Sequence, residues 1–95
     1  MYFDIKQYKN KRKCIMVMEN DGSCWCKLTV NIPGIPLGDN QIVVNIYTDE
    51  KTKGIVNKLI ENNILSYTKL YVNSGYNTYK IAEINYKKLE AFGSF

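Results

Sequence analysis

In "KCIMVMENDGSCWCKLTVNI", apolar positions alternate with other residues on both sides of Asp21-Gly22. That is the pattern of two strands joined by a tight turn. Asp-Gly supplies the two positive-φ positions of a type I′ turn. A two-residue loop then pairs Glu19 with Cys24, Met18 with Trp25, Val17 with Cys26 and Ile15 with Leu28. This register puts Ile15, Val17, Cys24, Cys26, Leu28, Val30 and Ile32 on one face, the core face. Cys14, Met16, Met18, Trp25, Lys27 and Thr29 fall on the other. "PGIPLGDN" is a loop, because Pro33 and Pro36 donate no ladder hydrogen bonds. "QIVVNIYT" predicts the next strand, and its consecutive Ile42, Val43 and Val44 give it a central position.

A helix follows, capped by Thr48 or Asp49, with Asp49 and Glu50 at the positive end of its dipole. Its apolar stripe is Ile55, Val56, Leu59 and Ile60, and Asn62-Asn63 is its stop. "YTKLYV" and "TYKIAEIN" flank "NSGYN" as a second hairpin. A short helix over Tyr86–Phe92 lays Leu89 and Phe92 on the core, and "YFDIKQY" forms an edge strand. The pattern predicts an α+β fold: one antiparallel sheet of five or six strands with one main helix packed on a face. The 95 residues form a single domain, 1–95, with one small core.

Charge changes the picture little. The net charge is +4. In residues 1–50 the basic groups (Lys6, Lys9, Lys11, Arg12, Lys13, Lys27) are balanced by Asp4, Glu19, Asp21, Asp39, Asp49 and Glu50. The whole excess lies in the second half, where lysines outnumber Glu61, Glu83 and Glu90. Arg12 is the sole arginine, which disfavours a dedicated reader of phosphates or bases. "KNKRK" (Lys9 to Lys13) reads as a solvated loop. No apolar run is long enough to span a membrane, and "MYFDIKQYK" lacks the apolar core of a signal peptide, so the expected location is the cytosol.

Candidate chemistry is sparse. Histidine is absent, which removes Ser-His-Asp and Cys-His nucleophilic systems. No phosphate-binding glycine motif occurs, and Asp21 and Asp39 read as turn residues. Cys24-Trp25-Cys26 falls short of a structural zinc site, which needs about four ligands. A disulfide between Cys24 and Cys26 would span roughly 6.5–7 Å between Cα atoms along one strand, and needs distortion. The cysteines read first as small buried hydrophobes in a reducing compartment, with a metal site or a reactive thiol as the alternatives. The expectation is a non-enzyme with no cofactor and no metal.

Tyrosine is the distinctive feature. Tyr67, Tyr71, Tyr76, Tyr79 and Tyr86 are interleaved with Lys69, Lys80, Lys87 and Lys88. Alternation puts Tyr67, Lys69 and Tyr71 on one strand face. Such a surface suits a protein interface, because each ring buries much area at low entropic cost. It also suits stacking on unpaired bases. A third reading has the tyrosines as ordinary half-buried strand residues with their hydroxyls at the rim.

The order "LTVNIPGIPLGDNQIVV", a helix, then "SGYNTYKIAEINYKKLEAF" resembles a family of small uncharacterised proteins carried by phages and conjugative elements of low-GC Gram-positive bacteria. The matching residues are Leu28, Thr29, Val30, Asn31, Pro33, Pro36, Leu37, Asn40, Ser74, Gly75, Tyr76, Thr78 and Tyr79, within residues 23–92. The pattern departs at "NIYTDE" and "KIAEI". Small proteins on such elements are often inhibitors of host defence, anti-CRISPR proteins among them. The resemblance therefore implies a non-catalytic protein that binds a bacterial defence protein, a CRISPR effector such as Cas9. The alternative is a single-stranded RNA or DNA binder using the Tyr/Lys face. The residues expected to touch the partner are Trp25, Lys27, Tyr67, Lys69, Tyr71 and Tyr76.

Overall fold

The computed structural model describes residues 1–32, 34–45 and 50–94. The elements are β1 (Tyr2–Gln7), β2 (Lys13–Met18), β3 (Cys24–Lys27), β4 (Gln41–Val43), α1 (Glu50–Glu61), β5 (Leu65–Ser74), β6 (Asn77–Ile84) and α2 (Tyr86–Phe92). The α+β class holds, but the strands form two antiparallel sheets of three, in the orders β1-β2-β3 and β4-β6-β5, instead of one sheet of five or six.

The break falls where β3 runs on into the proline-bearing loop. Beyond Lys27 the chain meets β4 through a single isolated bridge, Thr29 to Val44. Leu28 sits at this seam. Its N–H donates to Ile15 O at 2.8 Å, while its own carbonyl accepts from Asn45 N at 2.9 Å. The Asn45 side chain adds a bond to Lys27 O at 3.1 Å. Thr29 Oγ1 accepts from Ile15 N and lies 3.3 Å from Tyr8 Oη. Leu28 and Thr29, quoted above as part of the L-T-V-N motif, thus join the two sheets.

Both hairpins of the first sheet close through the same three-residue loop. Glu19 N donates to Ser23 O and Gly22 N to Glu19 O; Tyr8 N donates to Arg12 O and Lys11 N to Tyr8 O. This is a turn followed by one left-handed residue, in place of the two-residue type I′ turn expected at Asp21-Gly22. The left-handed position is Gly22 in one loop (φ 89°) and Lys11 in the other (φ 67°). A side chain there costs backbone strain; nothing lies within 4 Å of where a Cβ on Gly22 would stand, so the strain is purely conformational. Lys11→Gly is expected to raise stability by about 0.5–1 kcal/mol and Gly22→Ala to lower it by about 1 kcal/mol. Urea unfolding measures both, and a destabilised Lys11→Gly variant would contradict the assignment.

The longer loop shifts the register. Val17 still faces Cys26, but Met18 faces Cys24, and Trp25 becomes the extra residue of a bulge. Cys24 and Cys26 therefore do not share a face: Cys24 is exposed and Cys26 buried. The bulge turns Trp25 toward the core, where it packs half-buried.

Helix α1 buries Thr52, Ile55, Val56 and Leu59, with Ile60 packed against the cluster. Its expected caps, Thr48 and Asp49, lie outside the described residues. It stops at Asn62-Asn63, as the sequence predicts: Asn63 is left-handed (φ 59°), with Asn63 N on Ile60 O and Ile64 N on Leu59 O. That is the Schellman arrangement, closed by Ile64 against Leu59 in the core. The helix lies against β3 and β5, so the core is shared by both sheets: Ile15, Val17 and Leu28 from one, Ile42, Leu65, Ala82 and Ile84 from the other. Helix α2 is capped by Asn85 Oδ1 on Lys88 N. It buries Leu89 and packs Phe92 against Phe3 at 6.1 Å between ring centroids. No helix among the described residues is long and apolar enough to cross a membrane.

Candidate functional site

The β5–β6 hairpin leaves the core as an arm. No residue from Ser66 to Lys80 is buried. A two-stranded ribbon without a core is marginal alone, so this one is held by its own side chains. Thr78 Oγ1 lies 2.7 Å from Asn73 Oδ1, and Val72 faces Tyr79 across the ladder. The tip is a two-residue turn between Ser74 and Asn77. Its first residue is Gly75 at φ 61°, the position glycine takes in a type II′ turn. The second is Tyr76, whose side chain is fully exposed.

Halfway along, β5 bulges. Tyr67 faces Ala82 and Tyr71 faces Lys80, so Thr68, Lys69 and Leu70 together oppose Ile81 alone. Thr68 closes the gap. Its hydroxyl donates to Ile81 O at 2.8 Å and accepts from Leu70 N at 3.0 Å, replacing ladder bonds. The bulge has a consequence for the tyrosines. Their partners are two residues apart on β6, so the pair stands roughly 7 Å apart along the strand instead of the roughly 13 Å of a regular i, i+4 spacing. Lys80 lies between them. It faces Tyr71 directly and holds its Nζ 4.8 Å from the centroid of the Tyr67 ring, a cation–π contact.

These residues enclose a groove of about 240 Å³, lined by Tyr67, Thr68, Lys69, Leu70, Tyr71, Thr78 and Lys80. Three of the expected partner residues, Tyr67, Lys69 and Tyr71, come together here, and Tyr76 stands at the tip of the same arm. The uninterrupted alternation expected for Tyr67, Lys69 and Tyr71 gives way to the bulge, whose three residues all line the groove. Leu70 and Lys80 belong to the site too. Leu70 is 55% exposed, and an apolar residue out of phase between two tyrosines is the one sequence signal for the bulge.

Trp25 and Lys27 are elsewhere. Trp25 packs on the core with Lys51 Nζ 4.1 Å from its ring centroid. Lys27 faces Met16, away from the Ile15 and Val17 side, with its Nζ 5.2 Å from the Tyr8 ring. Neither lines the groove on the arm.

Two larger grooves meet at Tyr86. One of about 500 Å³ is lined by polar groups that include Asn40, Asn63, Ser66 and Asn85, and one of about 400 Å³ lies beside Lys11, Lys13 and Asp39. The Arg12 guanidinium at the second is committed to the fold. It donates to Ile32 O at 2.6 Å and to Ile35 O, pinning the loop after β3. The "KNKRK" run is thus solvated lysine around one structural arginine. The Tyr86 hydroxyl is buried and has no hydrogen-bond partner among the described residues. Its burial holds the phenol above its ordinary value of 10.0. The unfolded chain then ionises Tyr86 first, so the group leaves stability independent of pH below pH 10 and lowers it as pH rises through the raised value. Tyr86→Phe is expected to add about 1 kcal/mol at neutral pH and to flatten the alkaline limb of the stability curve. Melting temperature against pH from 7 to about 11 reads both effects, and a less stable variant at neutral pH would contradict them.

No disulfide joins Cys14, Cys24 and Cys26, and among the described residues no group of three or more Cys, Asp or Glu is placed to hold a metal ion. No curated protein and no solved structure matches the chain. Residues 2–94 match a family model described as a domain of unknown function (DUF4313). The chain belongs to the DUF4313 family.

Proposed function

We propose that this is a non-catalytic binding protein that grips a protein partner with the β5–β6 arm. The observation that carries the reading is the exposure of Leu70, Tyr71 and Tyr76 on an arm that has no buried residue from Ser66 to Lys80. Clustered apolar and aromatic groups of this kind mark interaction surfaces. The partner is a bacterial defence protein, a CRISPR effector being the identity that the resemblance favours. With a net charge of +4 the chain is no mimic of nucleic acid. It acts by covering a protein surface.

The arrangement at Lys80 favours a protein over a single-stranded nucleic acid. A base would stack on a tyrosine face, and one face of Tyr67 is already covered by the Lys80 ammonium. The test is affinity capture from a bacterial host lysate, with and without nuclease, beside a Tyr71→Ala/Tyr76→Ala variant. A nuclease-resistant partner that the variant loses supports the proposal. Partners lost on nuclease treatment would replace it with nucleic-acid binding, and a partner the variant retains would remove the arm from the interface.

A further inference from the structure

We infer that the groove at the β5 bulge takes a short acidic segment of the partner, with one apolar side chain seated among Tyr67, Leu70 and Tyr71 and carboxylates on either side of it. This rests on the reading of the arm as a protein interface and names what that interface recognises.

Size decides against a small molecule. Ligand pockets run from about 300 to 1,000 Å³ and enclose most of their ligand. This groove is smaller, at about 240 Å³, and holds one large side chain. Tyr67, Leu70 and Tyr71 supply apolar contact, and the two lysines among the lining residues supply charge. Such a grouping is that of an interface focus.

Charge decides the flanks. From Leu65 to Ala82 the charged residues are Lys69 and Lys80, with no carboxylate. Neither lysine forms an ion pair among the described residues. Both line the groove, so an entering side chain meets two positive charges and no negative one. A basic segment is repelled there, and an acidic one is drawn in. The same charges oppose a second copy of the chain: two arms meeting face to face would bring four ammonium groups together with nothing to neutralise them.

The probe is a fluorescein-labelled peptide with a central phenylalanine flanked on each side by two glutamates, titrated with the full chain and followed by anisotropy. Two companions replace the glutamates by lysines or the phenylalanine by glycine. The glutamate peptide is expected to bind at least about tenfold tighter than either companion. A Lys69→Glu/Lys80→Glu variant, with unchanged thermal unfolding, is expected to reverse the preference between the glutamate and lysine peptides. Equal binding of the two charged peptides overturns the inference, as does a preference that survives in the folded variant. No binding of the glutamate peptide at about 1 mM protein overturns it too. If the capture experiment shows an arm-dependent partner while the peptides show no charge preference, this inference falls and the interface reading stands. If capture is indifferent to the arm, the interface reading itself falls.

Discussion

Leu28→Ala is expected to lower the free energy of unfolding by about 3–4 kcal/mol. For a small domain holding about 5–15 kcal/mol in all, that is a large share. Leu28 is fully buried, and its main chain bonds to both sheets, at Ile15 on one side and Asn45 on the other. Removing its side chain opens a void where β2 and β4 have little else in common. The surrounding strands cannot close on the void without moving the seam, so both the lost burial and the cavity count. Leu70→Ala is the contrast. Leu70 is more than half exposed, on the arm, and its loss should stay within about 0.5 kcal/mol. Urea unfolding of the two variants separates core from arm. A Leu28→Ala loss below about 1 kcal/mol would show that the seam does not hold the sheets together.

Tyr71→Ala and Tyr76→Ala are each expected to weaken binding of the captured partner by about 2 kcal/mol or more, close to thirtyfold, with unfolding unchanged. Tyr71 is 66% exposed and Tyr76 fully so, so neither contributes much to the fold. The energy of an interface gathers on a few large rings that become dry on contact. Lys69→Ala is expected to act differently, slowing association and softening its salt dependence while leaving dissociation nearly as it was. Surface plasmon resonance on the captured partner separates these effects. Losses spread evenly at about 1–3 kcal/mol over every tyrosine, with each lysine change lowering the salt slope by about one unit, would be the pattern of a strand of nucleic acid instead.

Local signals carried most of the elements. The stripe Ile55, Val56, Leu59 and the asparagine stop named α1 and its end, because a helix face and a left-handed cap are both written within one stretch of chain. Asp21-Gly22 announced a hairpin. It did not announce the length of the loop, since Asp-Gly serves a two-residue and a three-residue turn alike. That single residue moved Cys24 out and let Trp25 in. The split into two sheets was hidden for a different reason. It depends on how strongly Leu28–Val30 pairs with Val43–Asn45, across a loop whose path no local pattern encodes. The tyrosines of the arm stood out by composition, whereas the bulge that gathers them did not. Trp25 looked exposed because alternation had been carried through a bulge, whereas Lys27 keeps the face alternation gave it and simply lies away from the arm.

The bulge also constrains how this stretch of the gene can change length. Between Tyr67 and Tyr71 the chain takes four steps while β6 takes two, and the excess is even. Loss of two codons here would restore an unbroken ladder with both aromatic rings still on one side. Loss of a single codon would leave a one-residue bulge of the kind found at Trp25, with Tyr71 still opposite Lys80. Length can therefore change here one codon at a time without turning the outer half of the arm over, but each loss takes a lining residue from the groove.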